Sequence, residues 1–101
     1  MRTNAQLESV RLKDIEEDYQ NEVVIRISYI GEEDRRVLIA RIEDNSEQSG
    51  IKFKSWERFE EWRYRIYGKM LDKVSVLEIT LIKPERYDEM DIAKYIWLLI
   101  S

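Results

Sequence analysis

The sequence predicts a small α+β domain, an antiparallel sheet of three to four strands packed on one main amphipathic helix over about residues 56–71, with a short C-terminal helix and a weak N-terminal one. Three patterns carry this expectation. Val23, Ile25, Ile27 and Tyr29 alternate with Val24, Arg26, Ser28 and Ile30, the period of a strand with one apolar face. Trp56, Phe59, Ile66 and Met70 recur at about 100° per residue, the period of a helix. The stretch VSVLEITLIK (74–83) is rich in β-branched residues and ends at Pro84, which has no N–H to donate to a ladder.

Residues 1–21 carry Leu7, Val10, Ile15 and Tyr19 at loosely helical spacing, so this segment reads as a tail or a short helix ahead of a single compact domain, 22–101. Strand one is expected over 22–30. The polar GEEDR (31–35) then serves as a turn into a second alternating run, 37–42, giving a hairpin. The turn-rich EDNSEQSG (43–50) reads as a loop, and IKFK after it as the start of a third strand. Ser55 is the expected N-cap of the 56–71 helix, with Glu57 in its first turn against the positive helix end. Asp88 is the expected cap of a last helix through DEMDIAKYIWLLIS, with an edge strand at YIWLLI as the alternative.

A chain of 101 residues supports one core, and 44% hydrophobic with 38% charged residues gives it enough apolar mass to fold under a heavily charged exterior. The absence of Cys and His removes disulfides, thiolate nucleophiles, the usual zinc sites and Ser-His-Asp mechanisms. No apolar stretch has the length of a signal peptide or a membrane span, so a cytoplasmic location is expected. High charge with few Gly, Asn and Gln also fits a heat-adapted source.

Net charge is −4, so attraction to a polyanion needs a local patch, and residues 51–73 offer one: seven Lys or Arg against four Asp or Glu, interleaved with aromatics. On a helical projection the aromatics share the apolar arc, while Arg58, Arg65 and Lys69 lie opposite, within reach of Glu61. Arg63 falls inside the arc, flanked by Tyr64 and Tyr67, and must either snorkel out or find a carboxylate. Arg58, Arg63, Tyr64, Arg65, Tyr67 and Lys69 are therefore the candidate binding residues. The run DNSEQSG (44–50) resembles a calcium loop, but Gly50 is one place late and Ser55 stands where the bidentate ligand belongs, so no metal site is expected. Without a Gly-rich phosphate loop or a nucleophile elbow, no cofactor and no catalytic set are expected either.

The most apolar run, YIWLLI, adjoins the chain end, and an element apolar on nearly every side needs more cover than so small a domain supplies. Ile92, Tyr95, Ile96, Trp97, Leu99 and Ile100 are the candidate interface, with a second copy of the chain as the expected partner. The function expected is that of a small acidic protein-protein interaction protein (a subunit, adaptor or inhibitor) without catalytic activity. The alternatives are a nucleic-acid or nucleotide binder using 51–73, and a histidine-free nuclease or other hydrolase.

Overall fold

The structure, a computed structural model, describes residues 5–13, 21–29, 31–64 and 71–100. It is a small α+β domain with a four-stranded antiparallel sheet and two helices, one of them C-terminal. In chain order the elements are β1 (Gln6–Leu12), β2 (Glu22–Tyr29), α1 (Glu32–Ser49), β3 (Lys52–Tyr64), β4 (Leu71–Ile82) and α2 (Glu89–Ile100). The sheet order is β1-β2-β4-β3, which puts β1 and β3 at the two edges.

Alternation in the two central strands sets the layers. Val23, Ile25, Ile27 and Tyr29 of β2 stand opposite Leu81, Ile79, Leu77 and Ser75 of β4, so one face of the sheet is almost wholly apolar. Leu38 and Ile42 of α1 pack on that face with Ile92, Ile96, Leu99 and Ile100 of α2, all buried in one cluster. The helices divide the work, α2 lying against β1 and α1 against β3. Pleating sends Val24, Arg26, Ser28, Val76 and Glu78 to the opposite face, where among the described residues no helix lies.

Expected elements hold at β2, at β4 and at α2. Asp88 caps α2 as anticipated, and the cap is reciprocal: the Asp91 N–H donates to Asp88 Oδ1 at 2.9 Å and the Asp88 N–H to Asp91 Oδ2 at 3.0 Å. Since α2 has no basic residue in its last turn, Arg41 of α1 donates to the Leu99 carbonyl there.

Two elements are the reverse of the sequence reading. Residues 37–42, expected as the second strand of a hairpin, lie inside α1, as does most of the expected 43–50 loop. Asp34, Leu38 and Ile42 are buried at four-residue spacing, so the helical period extends beyond the short run VLIARI that also alternates. Gly50 ends the helix in the left-handed conformation (φ 73°), its N–H bonded to Ser46 O at 2.9 Å. Residues 56–64, expected as the start of the main helix, are strand, and β3 runs without a break from the IKFK segment. Trp56, Phe59 and Trp62 do recur every third residue. Pairing along the whole of β4, together with the strand preference of Trp, Phe and Tyr, overrides that spacing. The expected helix end at 65–70 lies outside the described residues.

The N-terminal segment also departs from its expected helix, since Gln6–Leu12 is an edge strand paired with β2. Leu7, Val10 and Leu12 stand opposite Ile27, Ile25 and Val23 on the helix-covered face. A register shift between Leu7 and Ser9 makes Glu8 the extra residue of a bulge and turns it toward the open face. The expected helix from 14 to 18 falls outside the described residues.

Ser55 is therefore an exposed strand residue opposite Thr80 and not an N-cap. Ser55→Ala is expected to change unfolding free energy by less than about 0.5 kcal/mol, as surface substitutions do. A loss of about 1 kcal/mol in urea unfolding, the usual cost of a removed cap, would contradict strand structure at this position.

Candidate functional site

The outer side of α2 and β1 together make an exposed, partly apolar concave surface. Met90 is 66% exposed, Trp97 56% and Leu98 78%, on a helix whose other large aliphatic side chains are buried. Met90, Ala93 and Trp97 form one wall of an open groove of about 350 Å³, and Leu7, Glu8, Ser9 and Val10 of β1 form the other. The floor is a sheet edge. Lys13 N–H donates to Glu22 O at 2.9 Å, so Lys13, Arg11 and Ser9 turn their backbone groups toward β2. By alternation Val10 and Leu12 direct their N–H and C=O groups outward, away from the sheet.

This placement sorts the candidate interface residues. Ile92, Ile96, Leu99 and Ile100 complete the domain's own core and Tyr95 is half-buried, which leaves Trp97 as the member that faces outward. Met90 and the β1 edge are features that residue-level reading missed, and Leu98, within the YIWLLI run, was not singled out. A helical wheel through Ile92 and Ile96 would have set Met90 and Trp97 together on one outer side, had the terminal run been treated strictly as a helix.

The open face of the sheet carries an ionic ladder that crosses all four strands. Arg63 of β3 donates from Nη2 to Glu8 Oε1 at 2.7 Å and to Glu61 Oε2 at 2.6 Å, and from Nε to Glu61 Oε2 at 3.1 Å. Arg26 of β2 pairs with Glu61, lies 3.9 Å from Glu78 of β4, and stacks its guanidinium 4.7 Å above the Phe59 ring. Glu8 and Arg63 belong to opposite edges, separated by three strand spacings of about 4.8 Å each. Val76 and Val24 are buried here, where among the described residues no helix lies above them. A second, smaller cluster surrounds the buried Glu22, which Lys54 contacts from β3 and Lys13 from 3.4 Å.

The candidate binding residues do not converge. Arg58 and Tyr64 stand on the helix side of β3 and Arg63 on the open side, so strand alternation separates Arg63 from Tyr64, which the expected helix set side by side. Arg63 meets carboxylates, the second of the two alternatives, but on the open face of a strand and not in the apolar arc of a helix. Arg65, Tyr67 and Lys69 lie outside the described residues. The aromatics of this segment are not the core stripe that the helical projection implied: Trp62 is 67% and Tyr64 73% exposed, along a β3–β4 ribbon that continues past the end of β2. Arg35 stacks on Trp56 at 4.5 Å, and Lys73 pairs with Glu60 at 2.5 Å while lying 6.0 Å from the Trp62 ring.

Among the described residues no cluster of three or more acidic side chains is arranged to hold a metal ion, and no helix is long and apolar enough to cross a membrane. Comparison of the chain with known protein families, with curated proteins and with solved structures finds no match.

The charge clusters make a pH prediction. A hydrogen bond from Arg63 holds the Glu8 carboxyl below its ordinary pKa, and hydrogen bonds from Arg63 and then Arg26 do the same for Glu61. Contact with Lys54, followed by Lys13, lowers Glu22 against the opposing effect of its burial. Folded pKa values below the unfolded ones give stability that is present above the unfolded carboxyl range, at about pH 4–5, and lost as pH falls through the folded values. Urea midpoints of the wild type should thus fall steadily below about pH 5, and Glu61→Gln should show a shallower fall. Parallel pH profiles for the two proteins would contradict the role given to the ladder.

Proposed function

We propose that this chain is a small acidic interaction protein, a subunit, adaptor or inhibitor with no catalytic step of its own, that engages another protein chain through the β1–α2 edge. The observation that carries the reading is the exposure of Met90, Trp97 and Leu98 on a helix that is otherwise core, beside a strand with outward-facing backbone groups. Tryptophan and methionine are enriched in protein interfaces, and an open sheet edge accepts an extended segment by β-strand addition. The backbone groups supply hydrogen bonds, and the apolar wall supplies area. A cytoplasmic setting fits this reading, in keeping with the Cys-free composition.

A second reading has one observation in its favour. The outward Trp62 and Tyr64 on the β3–β4 ribbon give the 51–73 segment the stacking surfaces that single-stranded nucleic acid uses. It ranks below the first because Arg63, Lys54 and Lys73 are each engaged by carboxylates, leaving little uncompensated positive charge for phosphates.

Photo-crosslinking in the native host separates the two. With p-benzoylphenylalanine at Leu98 the expected product is a protein adduct, and at Tyr64 no adduct to nucleic acid is expected. Nucleic-acid adducts at Tyr64 with none to protein at Leu98 would overturn the ranking.

A further inference from the structure

We infer that the chain which occupies the β1–α2 edge is a second copy of this one, added by antiparallel β1–β1 pairing about a two-fold axis through Val10; this rests on the reading of that edge as the interaction surface. Antiparallel pairing about a two-fold requires the axis to stand perpendicular to the sheet, so the helix-covered faces of both copies lie on the same side. The groups available for pairing are the outward N–H and C=O of Val10 and Leu12, because Ser9, Arg11 and Lys13 already bond to β2.

These limits leave few registers, and charge selects among them. With Val10 opposite Val10 of the second copy, the two residues exchange both backbone hydrogen bonds, and Ser9 stands opposite Arg11. Glu8 and Arg11 both lie toward the open face, so each Glu8 then comes beside an Arg11 of opposite sign. Shifting to set Val10 opposite Leu12 would place Arg11 against Arg11, and setting Leu12 opposite Leu12 would place Arg11 against Lys13. Like charges directly opposite destabilise a strand pair. Slipping the other way, to centre on Ser9, would set the outward groups of Val10 against Glu8, the bulge residue, and leave no symmetric outward pair at the axis, since Ser9 faces β2. Only the Val10-centred register brings outward backbone groups together as a symmetric pair without setting like charges opposite. The same rotation turns the Met90 and Trp97 sides of the two α2 helices toward each other above Val10, and the four-stranded sheets become one of eight.

The absence of native cysteine makes the register directly testable. Residues 9 and 11 of the two copies form a pair without backbone hydrogen bonds, with Cα atoms about 4.5 Å apart, within the range of a disulfide. Residue 9 of one copy and residue 9 of the other are offset by two positions, beyond about 7 Å and outside that range. Sedimentation of the purified wild type should give twice the 12.3 kDa of one chain, with dissociation on dilution. Ser9→Cys mixed with Arg11→Cys should cross-link under mild oxidation, and neither variant alone should do so. Both positions are exposed, and unchanged urea unfolding of the reduced variants checks that they fold. A dimer in which Ser9→Cys alone cross-links as readily as the mixture overturns the register. A wild type that stays monomeric at high micromolar concentration, yet cross-links from Leu98 to a different protein, overturns self-pairing and leaves the interaction reading standing. Monomer with no protein adduct from Leu98 overturns both.

Discussion

The fold depends on burial of one face of two neighbouring strands. Val23, Ile25 and Ile27 meet Leu81, Ile79 and Leu77 across β2 and β4, and every one of the six is essentially inaccessible to solvent. Such a face must be covered, and at about 25 cal/mol per Å² of apolar surface the six side chains make its covering the largest favourable contribution to folding. Two helices do it. Neither is apolar enough alone: α1 contributes only Leu38 and Ile42 to the cluster, so α2 must turn most of its aliphatic side chains inward.

What remains follows from that asymmetry. With both helices on one side, the other side is held by the Glu8-Arg63-Glu61-Arg26 ladder and by Phe59 beneath Arg26. Partly exposed ion pairs contribute little net stability each, but a chain of them that fixes which strands can approach contributes specificity. The Glu8–Arg63 contact links the two edge strands across the open face and anchors the bulged start of β1. That strand is short and carries both the groove and backbone groups that face away from the four-stranded sheet. An edge of this kind is either protected or used, and the exposed Met90 and Trp97 above it favour use.

The central architecture was legible where one period dominated. Strict alternation gave β2, β-branched density and Pro84 gave β4, and Asp88 ahead of an apolar run gave α2. The misreadings share one physical origin. VLIARI satisfies both a strand and a helix period over six residues, and only Asp34 and the long polar continuation to Ser49 decide for the helix. In 56–64 the aromatic spacing of three is helical, whereas the decisive partner, β4, begins several residues further along the chain. Local patterns do not contain that pairing energy. β1 was invisible for the same reason, since Leu7, Val10 and Leu12 alternate properly only once the bulge at Glu8 is allowed for. At the site, Trp97 was readable as an outward anchor, but Ile92, Ile96, Leu99 and Ile100 were claimed by the domain's own core because two helices had to share one face.

Strand addition requires that the β1 edge be occupied. Amide hydrogen exchange at Val10 and Leu12 reads this residue by residue, because these N–H groups have no acceptor within the four-stranded sheet whereas that of Lys13 is bonded to Glu22. In concentrated protein the two amides should exchange slowly, and on dilution they should become fast while Lys13 and the core strands stay protected. Fast exchange at Val10 and Leu12 at every concentration and in the presence of any protein cross-linked through Leu98 would contradict strand addition at this edge.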